Sequence, residues 1–148
     1  MSLQTDIIFV QALRSDDTLM EALPAGDVYN TTIALPEEQA INAPVPYIIV
    51  SYDGMTNNEE TKDDQYEGSE DTVNISIEVT ATSRKQLAQL AIRARNTVKD
   101  YFISASDYDE NFELVPIEYR LTASGVNYDP DKPCYWQTLS YECDTNAD

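Results

Sequence analysis

Apolar and polar residues alternate most regularly between residues 73 and 80, where every second residue is Val or Ile. A period of two is typical of a strand with one buried face. Residues 47–52 (Tyr-Ile-Ile-Val-Ser-Tyr) are mainly β-branched or aromatic and too few for a helix, so they predict a strand buried on both faces. Two further alternations, at 115–122 and 134–143, predict two more strands.

Helical spacing is clearest at residues 83–102, where apolar residues recur every three or four positions and form one stripe. Ser83 and Gln86 form a capping box at the start of this helix. Residues 5–23 also have helical spacing and end before Pro24. Residues 15–17 (Ser-Asp-Asp) favour caps over helix interiors, so we expect them to divide this segment into two short helices.

The predicted order is a helix, a short strand at 28–33, two strands, the long helix and two final strands. Because helices do not alternate with strands as a parallel sheet requires, this order favours an α+β fold with a mainly antiparallel sheet of four to five strands. The N-terminal helix and the long amphipathic helix 83–102 are expected to pack on one face of the sheet. The 148 residues suffice for one core and predict a single domain, 1–148.

Three polar regions complete this picture. The segment 53–71 lies between two predicted strands, and we expect a long acidic loop or arm within a β-hairpin. Residues 144–148 predict a frayed tail. Cys134 and Cys143 would lie about 30 Å apart on one extended strand, so buried or half-buried free thiols are expected rather than a disulfide.

The formal net charge of −18 is distributed unevenly. Residues 53–71 hold eight acids and the single base Lys62, whereas five of the nine bases lie between Arg84 and Lys99. A chain this acidic is repelled by nucleic-acid phosphates and by anionic membranes, so neither is an expected partner. The chain begins without a secretory signal pattern, and no apolar run reaches the length of a membrane helix, so we expect an intracellular protein.

The acidic segment 53–71 and the basic helix 83–102 carry opposite charges, so one could bind the other. In a ring with head-to-tail contacts, an acidic arm of one subunit can meet the basic helix of the next. A solvated loop and a solvated helix face are the alternative interpretation. The candidate interface residues are Arg84, Lys85, Arg93, Arg95, Lys99, Glu59, Glu60, Asp63, Asp64 and Glu67.

The residue types argue against an enzyme. The chain has no His and four Gly, which excludes a histidine base or nucleophile pair and leaves no phosphate-binding glycine loop. Two Cys without His cannot complete a zinc site. We therefore expect no catalytic, cofactor-binding or metal-binding residues.

One acidic pattern needs a separate test. Asp107, Asp109, Asn111, Glu113 and Glu118 occupy positions 1, 3, 5, 7 and 12 of a calcium-loop register. Phe112 stands where that loop requires glycine, and a strand pattern follows instead of an exiting helix. The pattern therefore favours an acidic turn that leads into a strand.

The overall layout resembles that of the tail-completion, or tail terminator, proteins of long-tailed bacteriophages and prophages. The resemblance is carried by Pro-Ala-Gly-Asp-Val-Tyr at 24–29, Pro-Val-Pro-Tyr-Ile-Ile-Val at 44–50, Val-Asn-Ile-Ser-Ile-Glu-Val at 73–79, the capped helix 83–102 and the two C-terminal strands. It extends over nearly the whole chain, as a similarity of order and pattern.

This resemblance implies a non-enzymatic α+β subunit that assembles into a ring, commonly a hexamer. Such a ring caps the tail tube, stops its polymerisation and contacts the head–tail connector. The implied partners are further copies of the chain, the tail tube protein and the connector protein. The implied location is the tail or neck of the virion, after assembly in the bacterial cytoplasm. Another neck, head–tail joining or minor tail subunit, or a non-phage acidic protein-binding module, are the alternatives.

Overall fold

The computed structural model describes residues 2–30, 43–58, 70–109 and 114–146. A short 3-10 turn, Ser2–Gln4, precedes three helices: α1 (Thr5–Arg14), α2 (Asp17–Ala22) and α3 (Arg84–Ser106). The strands are β1 (Tyr29–Asn30), β2 (Tyr47–Asn57), β3 (Glu70–Ala81), β4 (Glu118–Ala123), β5 (Asn127–Asp129) and β6 (Cys134–Asn146).

The strands form one sheet in the order β1-β2-β3-β6-β4, and β5 pairs with β6 beyond the end of β4. β1 is parallel to β2, and all other pairs are antiparallel. The predicted α+β fold with a mainly antiparallel sheet is therefore confirmed. The sheet has six strands instead of four to five, because β5 is three residues long and lies in a turn-rich sequence that hides its pattern.

The two predicted helical regions are confirmed with adjusted ends. α1 ends before Ser15, and the side chain of Asp16 caps α2 by accepting from the N–H of Leu19. Ser83 caps α3 by accepting from the N–H of Gln86 at 3.1 Å, as the capping box predicts. α3 continues to Ser106, four residues beyond its predicted end.

The prediction of a loop over all of 53–71 was wrong at both ends. β2 continues to Asn57, and β3 already starts at Glu70. Polar groups hold these extensions together: the side-chain amide of Asn57 donates to the carboxylate of Asp71, and the N–H of Asn58 donates to the carbonyl of Glu70 at 2.9 Å. Because polar groups join these strand ends, the sequence there lacks the apolar alternation from which a strand is predicted. Residues 59–69 lie outside the described residues, as do residues 31–33 of the predicted first strand.

The frayed tail was also wrong for residues 144–146, which continue β6. Asp144 accepts hydrogen bonds from Arg120 and Thr72, and Thr145 is buried in contact with Ser2. Residues 147–148 lie outside the described residues. Cys134 and Cys143 are both free and buried, as expected, and burial raises the pKa of Cys143 to about 12.

β4 starts at Glu118, three residues later than predicted. Val115 and Pro116 are buried in a turn instead. The carboxylate of Asp109 fixes this turn by accepting from the N–H groups of Leu114 and Val115 at 2.8 and 2.9 Å.

The core lies between one face of the sheet and the helices α1 and α3. Phe9 of α1 is fully buried, and its ring meets those of Phe102 and Tyr141 at centroid distances of 5.2 and 4.9 Å. Tyr119 of β4 extends this group, with its ring centroid 5.5 Å from that of Phe102. The aromatic cluster Phe9, Phe102, Tyr119 and Tyr141 thus joins α1, α3, β4 and β6.

Replacing Phe9 by Ala should lower the free energy of unfolding by about 3–5 kcal/mol, because it removes a fully buried ring and leaves a cavity. Urea denaturation followed by far-UV circular dichroism measures this loss. Ile7→Ala on the same helix is the control, since Ile7 is 44% exposed. Equal losses of unfolding free energy in the two variants would show that the aromatic cluster contributes no more to stability than an exposed position of the same helix.

Candidate assembly surface

The five predicted interface cations of α3 are all exposed. They surround the buried stripe that faces the core, made of Leu87, Leu90, Ala91, Ala94, Val98 and Phe102. They do not form one continuous face, however. Arg93 and Arg95, two residues apart, lie about 160° apart around the helix axis. The basic helix therefore has two flanks with different surroundings.

One flank of α3 is joined to the α1–α2 junction by Arg93. Its guanidinium donates two hydrogen bonds to the carboxylate of Asp16, both at 2.8 Å, and the hydroxyl of Thr97 donates to the same carboxylate at 2.7 Å. These bonds, with the capping bond from Leu19, hold the pKa of Asp16 well below its ordinary value. We call this group the Asp16 clamp. Arg93 is therefore paired within its own chain, although its side chain stays 47% exposed.

The other flank carries Arg95 and Lys99 and faces the start of β4. Burial raises the pKa of Tyr119 there, and the positive charge of Arg95 opposes this rise, so the guanidinium lies within electrostatic range of the phenol. Lys99, Phe102 and Ile103 line one wall of a groove of about 310 Å³. Ile117 and Tyr119 lie on its other wall. Ile103 and Ile117 remain 57% and 40% exposed.

The ion pairs of the described residues sort the cations into two groups. Arg14 pairs with Asp27, Arg93 with Asp16, and Arg120 with Glu142 and Asp144. By contrast, no ion pair within the described part of the chain involves the remaining cations of α3. These unpaired cations are Arg84, Lys85, Arg95 and Lys99. They are exposed positive charges on a chain whose net charge is −18.

The acidic half of the predicted match, Glu59, Glu60, Asp63, Asp64 and Glu67, lies outside the described residues. The structure does locate the two ends of that segment. Asn58 and Glu70 lie side by side at the end of the β2–β3 hairpin. The contact between the acidic segment and the basic helix therefore stays a prediction.

Two of the described acidic groups, Asp16 and Asp109, are engaged in structural contacts. The Asp16 carboxylate accepts four hydrogen bonds, although clefts of about 540 and 380 Å³ adjoin it. Asp109, from the calcium-loop register, accepts hydrogen bonds from two backbone N–H groups.

Across residues 2–30, 43–58, 70–109 and 114–146, no group of three acidic or cysteine side chains could hold a metal ion. The same residues include no helix with the length and apolar character needed to cross a bilayer.

The Asp16 clamp was not predicted from the sequence. The capping preference of residues 15–17 indicated that Asp16 starts a helix, and its bond to Leu19 confirms this. Its partner Arg93 is 77 residues away in the chain, and no local pattern connects the two.

Asp16→Asn tests the clamp, because Asn retains an oxygen for the cap but loses the charge that pairs with Arg93. The folded pKa of Asp16 lies below the unfolded value of about 3.9. Its contribution is therefore present above that pH and lost as the pH falls toward the folded pKa. We expect the variant to be less stable than wild type near neutral pH, with a difference that shrinks below about pH 4.

Thermal or urea unfolding of both proteins across this range measures the difference directly. Subtracting the two curves cancels the self-repulsion of the other carboxylates, which changes with pH in both proteins. Asp16→Ala, which also removes the cap, should cost about 1 kcal/mol more. A wild-type advantage that does not change with pH would contradict the assignment.

No family model matches the chain, and no curated protein matches it. Among solved structures, the fold is similar to that of a chain in the virion of a native gene transfer agent (GTA) particle, with a TM-score of 0.53. The similarity covers 96% of this chain and 94% of that chain, at 17% sequence identity. With a sequence identity this low, the comparison shows a shared fold over nearly the whole of both chains.

Proposed function

We propose that this chain is a non-enzymatic structural subunit of a bacteriophage or phage-like virion. The observation that carries the proposal is the coverage of the fold match. The helices and the sheet together correspond to a virion chain over nearly the full length of both proteins. A shared small motif would instead cover only part of each chain.

More specifically, we propose a tail terminator subunit that forms a ring, of six copies, at the end of the tail tube. The ring stops tube polymerisation and joins the tail to the head, so its partners are the tube protein and the head–tail connector. The order of sequence motifs at 24–29, 44–50 and 73–79 supports this role, as does an exposed positive surface on an acidic chain. A head-to-tail ring needs two different complementary faces on each subunit.

Chain reach decides where the acidic segment can bind. β3 runs from Glu70 to Ala81, so Arg84 and Lys85 lie about 36 Å from the segment's ends, given the rise of a strand. A segment that leaves at Asn58 and returns at Glu70 can extend only about 20 Å. This difference favours a contact between the acidic segment and Arg84 or Lys85 that joins two copies of the chain.

The first test is the mass of the purified chain. We expect light scattering after size-exclusion chromatography to show a discrete oligomer of about six subunits, and negative-stain images to show rings. A strict monomer at all concentrations would contradict the ring. A ring that neither binds purified tail tubes nor stops their growth would leave a virion subunit but reject the terminator role.

A pair of charge-reversed variants tests the interface. The first replaces Arg84, Lys85, Arg95 and Lys99 by Glu, and the second replaces Glu59, Glu60, Asp63 and Asp64 by Lys. Each variant alone presents like charges at every contact, so we expect each to lose the ring at low salt. Mixed in equal amounts, the two present opposite charges at every contact and should form rings with alternating subunits.

The mixture also serves as the folding control, because recovery requires both variants to be folded. Arg93 is left unchanged so that the Asp16 clamp stays intact. Rings that persist in either variant alone would show that these charges do not form the interface.

A further inference from the structure

Among the described strands, β4 lies at the edge of the sheet. It pairs with β6 on one side, and no described strand lies on its other side. The N–H of Ser124 donates to the carbonyl of Thr138, which sets the alternation of the antiparallel ladder. Tyr119, Leu121 and Ala123 therefore occupy the non-hydrogen-bonded positions toward β6, and their N–H and C=O groups point outward.

The groove beneath α3 runs beside this edge. A strand added about 4.8 Å beyond β4 would place alternate side chains against its exposed Ile103 and Ile117. Arg95 and Lys99 would lie above the same positions. An extended segment that fits this site therefore carries apolar residues at alternate positions and negative charge toward α3. Strand addition of this kind combines main-chain hydrogen bonds with side-chain pockets.

Among the described residues, this edge has only partial protection against strand pairing. Natural edge strands are often shielded by lysines, prolines, bulges or inward-pointing charges. The only charged residues of β4 are Glu118 and Arg120, and Arg120 is held by Glu142 and Asp144 of the neighbouring strand. An exposed edge with adjacent apolar side chains is therefore suited to a partner.

The charges favour a second copy of the chain as that partner. They also favour a head-to-tail contact over a twofold pairing of β4 with β4. The flank beside the edge carries unpaired Arg95 and Lys99, and the remainder of the chain is strongly acidic. Pairing β4 with β4 of another copy about a twofold axis would bring these cations close to their own copies, which is unfavourable. Pairing with a different, acidic face of the second copy avoids this repulsion and gives a head-to-tail contact.

We propose that the open edge of β4 and the adjoining groove bind an extended acidic segment of a second copy, so that the sheet continues from one subunit to the next. This inference rests on the proposed self-assembly and names the surface that carries it. It also separates two roles for α3: Arg93 fixes the helix within its own chain, and Arg95 and Lys99 face the neighbour.

Ala123→Pro tests the proposal, because proline removes an outward N–H that β4 does not use within its own chain. The control is Ala123→Ser, which retains that N–H. We expect the proline variant to associate about tenfold more weakly than the control, as the loss of a main-chain bond and its fit implies. Sedimentation velocity across a concentration series measures association, and the urea midpoint checks folding.

Hydrogen exchange on the wild-type chain gives a second readout that needs no variant. In the assembled state, the amides of Tyr119, Leu121 and Ala123 should exchange at least about tenfold more slowly than in dilute monomer. If rings form while these amides exchange as in the monomer, the β4 proposal is wrong and the ring stands. If no assembly forms at any concentration, both this inference and the proposed ring are wrong.

Discussion

The packing of Phe9 against Phe102 and Tyr141 determines the arrangement of the rest of the molecule. These rings come from α1, α3 and β6, and Tyr119 brings in β4. Edge-to-face pairs contribute about 0.5–1.5 kcal/mol each beyond their burial. The cluster fixes the height and rotation of α3 on the sheet. Its two flanks can then have separate roles, one against the α1–α2 junction and one beside the edge strand.

The second constraint is the charge of −18. Self-repulsion opposes a compact state, and exposed ion pairs recover only about 0–1 kcal/mol each. Arg14, Arg93 and Arg120 are placed where each joins elements distant in sequence or adjacent strands. The four unpaired cations of α3 therefore contribute little to the stability of one chain. In an assembly, each of these cations could form an ion pair with an acidic residue of the next subunit.

The fold was largely predictable because its signals are local. The alternation at 73–80 and the capping box at Ser83 each specify an element within a few residues, and both elements formed. The errors occurred where polar contacts between distant residues replace apolar alternation. Asn57 with Asp71, and Asp144 with Arg120, extend strands into sequence that has the composition of loops. Asp109 similarly delays the start of a predicted strand, because its carboxylate binds the backbone N–H groups of Leu114 and Val115.

The candidate surface was predictable only in part, for a related reason. Sequence composition located the cations on one helix, but rotation around the helix axis and the packing of α2 determine which of them are free. Arg93 and Arg95 look equivalent in the sequence, yet one is bound to Asp16 and the other lies beside Tyr119. Likewise, the alternation of residues 115–122 predicts a strand but not its place at the edge of the sheet. That place follows from β6 pairing with β3, which leaves β4 outermost.

The two proposed contacts act on different parts of the same subunit. The acidic segment leaves the sheet at the end where Asn58 and Glu70 meet, whereas the β4 edge runs along one side. Charge attraction over the Debye length of about 10 Å brings copies together with little geometric precision. Backbone pairing along β4 fixes register and angle, because a strand shifted by one residue turns its apolar side chains away from the groove. A ring closes only if that angle is reproduced at every contact, so the edge strand, more than the charges, would set the number of subunits.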